Sequence, residues 1–217
     1  MSCRQVAPRD ERGFSLLELV VAGAVLVVLL GLIGAVLAES AELSASRGVL
    51  MHAETAAQAR LFDLRLELME TNPAHVSVLS FSDPLLAGGG PQAALAFSSA
   101  RDPQGAFQMS NGRPVWQAVV VYCPYGDPNE GGQLRRYADY TPRSYPVSIV
   151  SVDATQIRLS DGTVLPRAGG TVLLGDVAGF GASVGPPAQA QLTVQVRYGR
   201  GTVSRTIRME STGRNKN

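Results

Sequence analysis

Residues Leu19 to Ala38 read LVVAGAVLVVLLGLIGAVLA, 20 residues without a charge or a polar side chain. As a helix at about 1.5 Å per residue this run covers roughly 30 Å, the thickness of a bilayer's hydrocarbon core. Arg4, Arg9 and Arg12 precede it, and Glu39 and Glu42 open the stretch that follows. The cationic side stays cytoplasmic, which sends the C-terminal part outward. A secretory signal has a shorter apolar core, about 7–15 residues, ending in a small-residue cleavage site. Here the run is longer and passes straight into a helical pattern. A plain single-pass anchor accounts for the length but not for Glu18, a carboxylate beside an apolar run and therefore expensive in lipid.

The helical period continues outward from the run. Leu50, Ala53, Ala57, Leu61, Leu64 and Leu68 recur every three or four residues, and the opposite face carries Glu54, Gln58, Arg65 and Glu67. Asn72-Pro73 ends the pattern, because a residue before proline resists the α region. One long helix is predicted from about Phe14 to Glu70. Its apolar half, residues 14–38, is long enough to cross a membrane. Its amphipathic half, residues 39–72, lays a stripe on a globular domain. Gly31 and Gly34 are weak points in the first half.

From about residue 73 the period changes to two, with Gly and Pro punctuation, and a β-rich domain is predicted over 73–217. Candidate strands are His75–Ser80, Ala94–Ser98, Val115–Cys123, Gln133–Tyr140, Val147–Val152, Gln156–Leu159, Thr163–Pro166, Thr171–Val177, Gln191–Tyr198 and Thr202–Glu210. The fold class is therefore α+β, a long apolar helix packed on an antiparallel sheet domain. Trp116 is expected in the core, and Cys123 as a buried free thiol.

Composition agrees. The chain has 217 residues, 45% hydrophobic and only 17% charged, where about a quarter is usual. A net charge of +1 disfavours a basic nucleic-acid binder as a reading of the whole chain. Two cysteines, Cys3 and Cys123, exclude a disulfide scaffold and a multi-cysteine zinc site.

The sequence entering the apolar run is more specific. Residues 12–22 are RGFSLLELVVA: a charged leader ending in Gly13, then Phe14, with Glu18 the fifth residue counted from Phe14. This resembles the class III signal of type IV pilins and type II secretion pseudopilins. The resemblance implies that a prepilin peptidase cuts residues 1–13 away between Gly13 and Phe14 and methylates the new amine of Phe14. It also implies that Glu18 pairs with the amine of a neighbouring subunit and fixes filament register. Independently, Glu18 lies one helical turn from that amine, and a low dielectric makes an unpaired carboxylate costly. Loss of the leader removes Arg4, Arg9, Arg12, Asp10, Glu11 and Cys3, leaving basic and acidic side chains in equal number. Ala35 stands where many pilins carry a helix-loosening proline. The Arg60-Leu61-Phe62-Asp63-Leu64 helix end and the WQAVVVYC…GGQLRRYAD pattern of residues 116–139 look like the J-type pseudopilins and the W-type minor pilins.

Other chemistry is sparse. His52 and His75 have no cysteine or carboxylate cluster and are expected to be partly exposed. There is no G-x-S-x-G elbow, P-loop or dinucleotide fingerprint, so no enzyme is expected. Asp127, Asn129 and Glu130 in the loop YGDPNEGG are hard oxygen ligands, and some pseudopilins bind calcium in a surface loop. The EF-hand spacing is absent, a plain turn is the first reading, and no cofactor is expected. The C-terminal hairpin is basic, with Arg197, Arg200, Arg205 and Arg208, and Arg135, Arg136 and Arg143 form a second group. A solvated strand edge is its first reading, with partner docking and DNA contact as alternatives.

The expected protein is a minor type IV pilin, made in the inner membrane with its β domain periplasmic and assembled into or at the tip of a pilus. Minor subunits of this kind are thought to prime assembly for twitching, adhesion or DNA uptake. Partners would be the prepilin peptidase, inner-membrane lipid before assembly, a major pilin and other minor pilins. The alternatives are a minor pseudopilin of a type II secretion system and a membrane-anchored binding protein unrelated to filaments.

Overall fold

A computed structural model of the chain describes residues 15–86, 91–127, 131–183, 188–198 and 201–211, with the backbone alone described at residues 46, 49, 50, 127, 188–198 and 201–211. The chain divides into two compact units, residues 1–47 and 48–217. The first helix, α1 (Leu16–Glu70), runs through the boundary. In the first unit it is continuous through Gly31 and Gly34. Every side chain from Leu16 to Ala45 is exposed, and this segment is long and apolar enough to cross a membrane.

In the second unit the stripe is buried as its spacing predicts. Ala57, Leu61, Leu64 and Leu68 enter the core, and Ala53 packs beside them. Glu67 departs from the expected outer face. It is half-buried, and it accepts a hydrogen bond from Tyr122 Oη at 2.8 Å. The helix ends where expected. The Thr71 hydroxyl donates to the Ser98 carbonyl at 2.6 Å, and the Asn72 side chain caps a short 3-10 turn, Pro73–His75, by accepting from the Ala74 amide.

The strands that follow are β1 (Val76–Phe81), β2 (Gln92–Ser99), β3 (Met109–Ser110), β4 (Arg113–Pro114), β5 (Ala118–Asp127), β6 (Gly131–Asp139), β7 (Ile149–Val152), β8 (Gln156–Leu159), β9 (Val164–Pro166), β10 (Thr171–Leu174), β11 (Val177–Ser183), β12 (Ala188–Tyr198) and β13 (Gly201–Ser211). The main sheet has the order β1-β2-β5-β6-β10, and β7-β8-β9 and β11-β12-β13 form two smaller sheets. All pairings are antiparallel. The α+β architecture is thus the expected one.

The main sheet is covered on both faces, which explains its unbroken apolar runs. Leu95, Phe97, Val120 and Tyr122 face α1 and β11. Their neighbours Ala94, Ala96, Val119, Val121 and Cys123 face the small β7-β8-β9 sheet through Ile149, Ile157 and Leu159.

Three expectations need correction. The strand expected over Val115–Cys123 begins at Ala118 and runs to Asp127, through Pro124. The last β2–β5 pair is Leu95↔Tyr122, so beyond it β5 has a partner on one side only, and a missing amide is tolerated there. Trp116 therefore lies outside the strand, half-buried, with its ring 4.8 Å from that of His75. The strand expected over Thr171–Val177 is two strands in different sheets, because Asp176 takes a positive φ of 58° and turns the chain. The β3–β4 hairpin was not expected, although Asn111-Gly112, both at positive φ, is a strong turn signal.

Candidate functional site

The site that the sequence marks is the mouth of the apolar helix. Gly13 and Phe14 lie outside the described residues. Ser15 and Glu18 are described, and they make a reciprocal pair. The Ser15 amide donates to the Glu18 carboxylate at 3.0 Å, and the Glu18 amide donates to Ser15 Oγ at 3.2 Å. This is a capping box, S-x-x-E. It satisfies two amides that a helix start leaves without partners, and it sets the acidic side chain against the positive end of the helix dipole. The sequence reading singled out Glu18 and missed Ser15, though the spacing Ser15-Leu16-Leu17-Glu18 was the signal for it.

The Glu18 carboxylate thus caps its own helix. Leu16, Leu17 and Leu19 surround it on the same helix and are exposed.

The basic residues divide in two. Arg135, Arg136 and Arg143 do not form a cationic surface. Arg135 is buried and donates to Gln133 Oε1 and to the Ala168 carbonyl. Arg136 meets Glu67 at 3.0 Å. Arg143 is held by Asp139 and, at 2.6 Å, by Asp161. On the C-terminal hairpin Arg200 lies outside the described residues. The β12–β13 ladder sets Arg197 opposite Thr202, Arg208 opposite Gln191 and Arg205 opposite Val194. Arg205 thus falls in the other alternation from Arg197 and Arg208, and the register does not gather the three in one row.

A cleft of about 300 Å³ opens between α1 and the main sheet, lined by Arg60, Asp63, Glu67, Arg101, Tyr122 and Arg136 among others. Its charges are spent on one another. Glu67 takes Tyr122 and Arg136, Arg101 donates to Glu70 at 2.7 Å, and Arg60 meets Asp63 at 3.4 Å. Burial, and then the Glu67 carboxylate, push the Tyr122 phenol well above its ordinary range. The cleft reads as a polar seam holding helix to sheet.

Among the described residues no group of three or more His, Cys, Asp or Glu could hold a metal ion. Asn129 and Glu130 lie outside the described residues, and Asp127 is described by its backbone pairing with Gly131. His52 is exposed, and His75 is half-buried between Trp116 and Tyr145. Cys123 is a buried free thiol, as expected. No protein-family model matches the chain, and no curated protein and no solved structure matches it.

Proposed function

We propose that the chain is a minor type IV pilin. In this reading it is made as a single-pass inner-membrane precursor with its β domain in the periplasm. A prepilin peptidase cuts it after Gly13 and methylates Phe14. It is then drawn through α1 into, or onto the tip of, a pilus, where it helps to prime assembly. The peptidase, a major pilin and other minor pilins are its partners, and twitching, adhesion or DNA uptake its context.

The observation that carries the reading is the Ser15–Glu18 box at the start of an exposed apolar helix whose later turns are buried in an antiparallel β domain. For a plain anchor that carboxylate would serve only as a helix cap, at a cost in lipid. For a subunit that docks by its helix it also offers an incoming amine a fixed partner. The second reading, a minor pseudopilin of a type II secretion system, draws on the β5–β6 hairpin. That hairpin pairs residues 119–127, which begin with the VVVYC of the first pattern, with GGQLRRYAD in continuous register from Val119↔Asp139 to Asp127↔Gly131.

The test is the intact mass of the protein from its native membrane, beside a Gly13→Ala variant. Loss of residues 1–13 with gain of one methyl group, blocked in the variant, supports the reading. An uncleaved chain, or a cut after Ala38, overturns it. Deleting the gene then separates the two filaments, by loss of surface pili or by loss of an exported protein.

A further inference from the structure

A sheet edge is a row of unpaired amides and carbonyls, and proteins blunt such edges. Here most are blunted visibly. Beside the β1 edge, the Ile149 amide of β7 donates to Ser77 Oγ. β10 has 4 residues and a register shift between Val172 and Leu174. β11 is shifted between Val177 and Gly179, and its Phe180 amide is taken by Gln92 Oε1 at 2.9 Å. β7 and β9 have 4 and 3 residues.

β13 is different. It has 11 residues, no proline, and no glycine after its first position. It pairs with β12 from Gly201↔Tyr198 to Ser211↔Ala188 without a register shift. In the sheet order β11-β12-β13 no described strand pairs with its other side. Segment 188–211 carries Arg197, Arg200, Arg205 and Arg208 against Glu210 alone.

We propose that the outer edge of β13 accepts an extended, acidic segment of a partner protein as an added strand. Main-chain hydrogen bonds along the edge supply affinity, and the net positive charge of the segment favours an acidic strand over a basic one. A second copy of the same strand is a poor occupant, because pairing two β13 edges brings their Arg205 and Arg208 residues together. Nucleic acid is disfavoured too. The ladder alternation separates Arg205 from Arg197 and Arg208, and Arg135, Arg136 and Arg143 are used internally. The proposal rests on sheet topology and does not depend on cleavage at Gly13.

The test uses the full chain in detergent micelles and a peptide of alternating glutamate and valine matched to β13 in length, read by amide hydrogen exchange. Saturating peptide is expected to slow exchange at alternate residues of β13, by about tenfold or more, the signature of a newly bonded edge. A peptide with lysine for glutamate, and one N-methylated along its backbone, are each expected to bind at least about tenfold more weakly. Unchanged exchange in β13, or equal binding by either control peptide, overturns the proposal. So does a DNA duplex that protects β13 where the acidic peptide does not, which would assign the edge to nucleic acid.

Discussion

Arg167 and Asp83 form a buried ion pair, Nη2 to Oδ2 at 2.6 Å, across 84 residues of sequence. The same guanidinium donates to the Pro124 carbonyl at 2.6 Å and the Asp153 carbonyl at 2.8 Å, and it lies over the Phe81 ring. One side chain therefore joins the loop after β1, the middle of β5, the β7–β8 turn and the 3-10 turn after β9. Removing the carboxylate strands a cation in the core. Asp83→Ala is expected to lower stability by about 3–5 kcal/mol. The denaturant midpoint, followed by fluorescence of Trp116, the chain's one tryptophan, reads this directly. An Asp83→Leu/Arg167→Met pair, which removes both charges, is expected to recover most of the loss. An unchanged midpoint in the single variant would take the pair out of the account of the fold.

The pH profile follows from groups that burial shifts upward. Burial pushes the Cys123 thiol up to about 12 from 9.0, and it raises the Tyr122 and Tyr137 phenols above 10.0. In each the folded state favours the protonated form. Their contribution is complete below the ordinary values and is lost as pH rises toward the folded ones. Stability of the β domain is expected to hold to about pH 9 and to fall steadily from there to pH 12. At the acid end Asp153, held down to about 2 by the amides of Thr155 and Gln156, contributes above its ordinary 3.8. That small contribution fades as pH falls through 2. A thiol reagent at mild pH should leave Cys123 unlabelled in the native protein and label it in denaturant. Fast native labelling at Cys123 would contradict the burial.

Gly132 sits where the β5–β6 hairpin passes under β11. A Cβ there would collide with the Val177 carbonyl oxygen and stand 2.9 Å from Leu86 Cδ2. Its ladder partner Gly126 is pressed in the same way against Leu85. Gly132→Ala forces backbone apart and is expected to cost about 1–3 kcal/mol in the same denaturant measurement. Gly162→Ala serves as comparison. It meets nothing within 4 Å but stands at φ +87°, so its cost is one of turn strain alone.

The helix was legible because its burial is periodic, and the central strands because theirs is unbroken. Ala57, Leu61, Leu64 and Leu68 announce a buried face, and AALAF and AVVVYC announce strands covered on both sides. What stayed hidden depends on partners far along the chain. Glu67 looks like a surface residue until Tyr122 and Arg136 arrive from β5 and β6. Arg135, Arg136 and Arg143 look like a basic patch until Gln133, Glu67 and Asp161 are counted against them. The break at Gly175-Asp176 has a turn dipeptide as its signal, and reading one strand from Thr171 to Val177 passes over it. At the helix mouth Glu18 stood out by its cost, and Ser15 was overlooked because a cap is cheap and local.

In the proposed filament reading Glu18 has a second role beside its cap, and one pair of substitutions separates the two. As a cap it needs only an acceptor for the Ser15 amide, and a glutamine supplies one. As the partner of an amine in an apolar setting it needs charge. Glu18→Gln is therefore expected to leave the helix start intact, with amide exchange at Leu16–Leu19 unchanged, and to leave cleavage after Gly13 unchanged. It should nevertheless abolish recovery of the protein in sheared filaments. Glu18→Ala loses both roles, and exchange at the helix start should rise several-fold as well. If Glu18→Gln enters filaments as the parent does, the carboxylate serves the helix alone. The filament reading would then have to rest on other residues of α1.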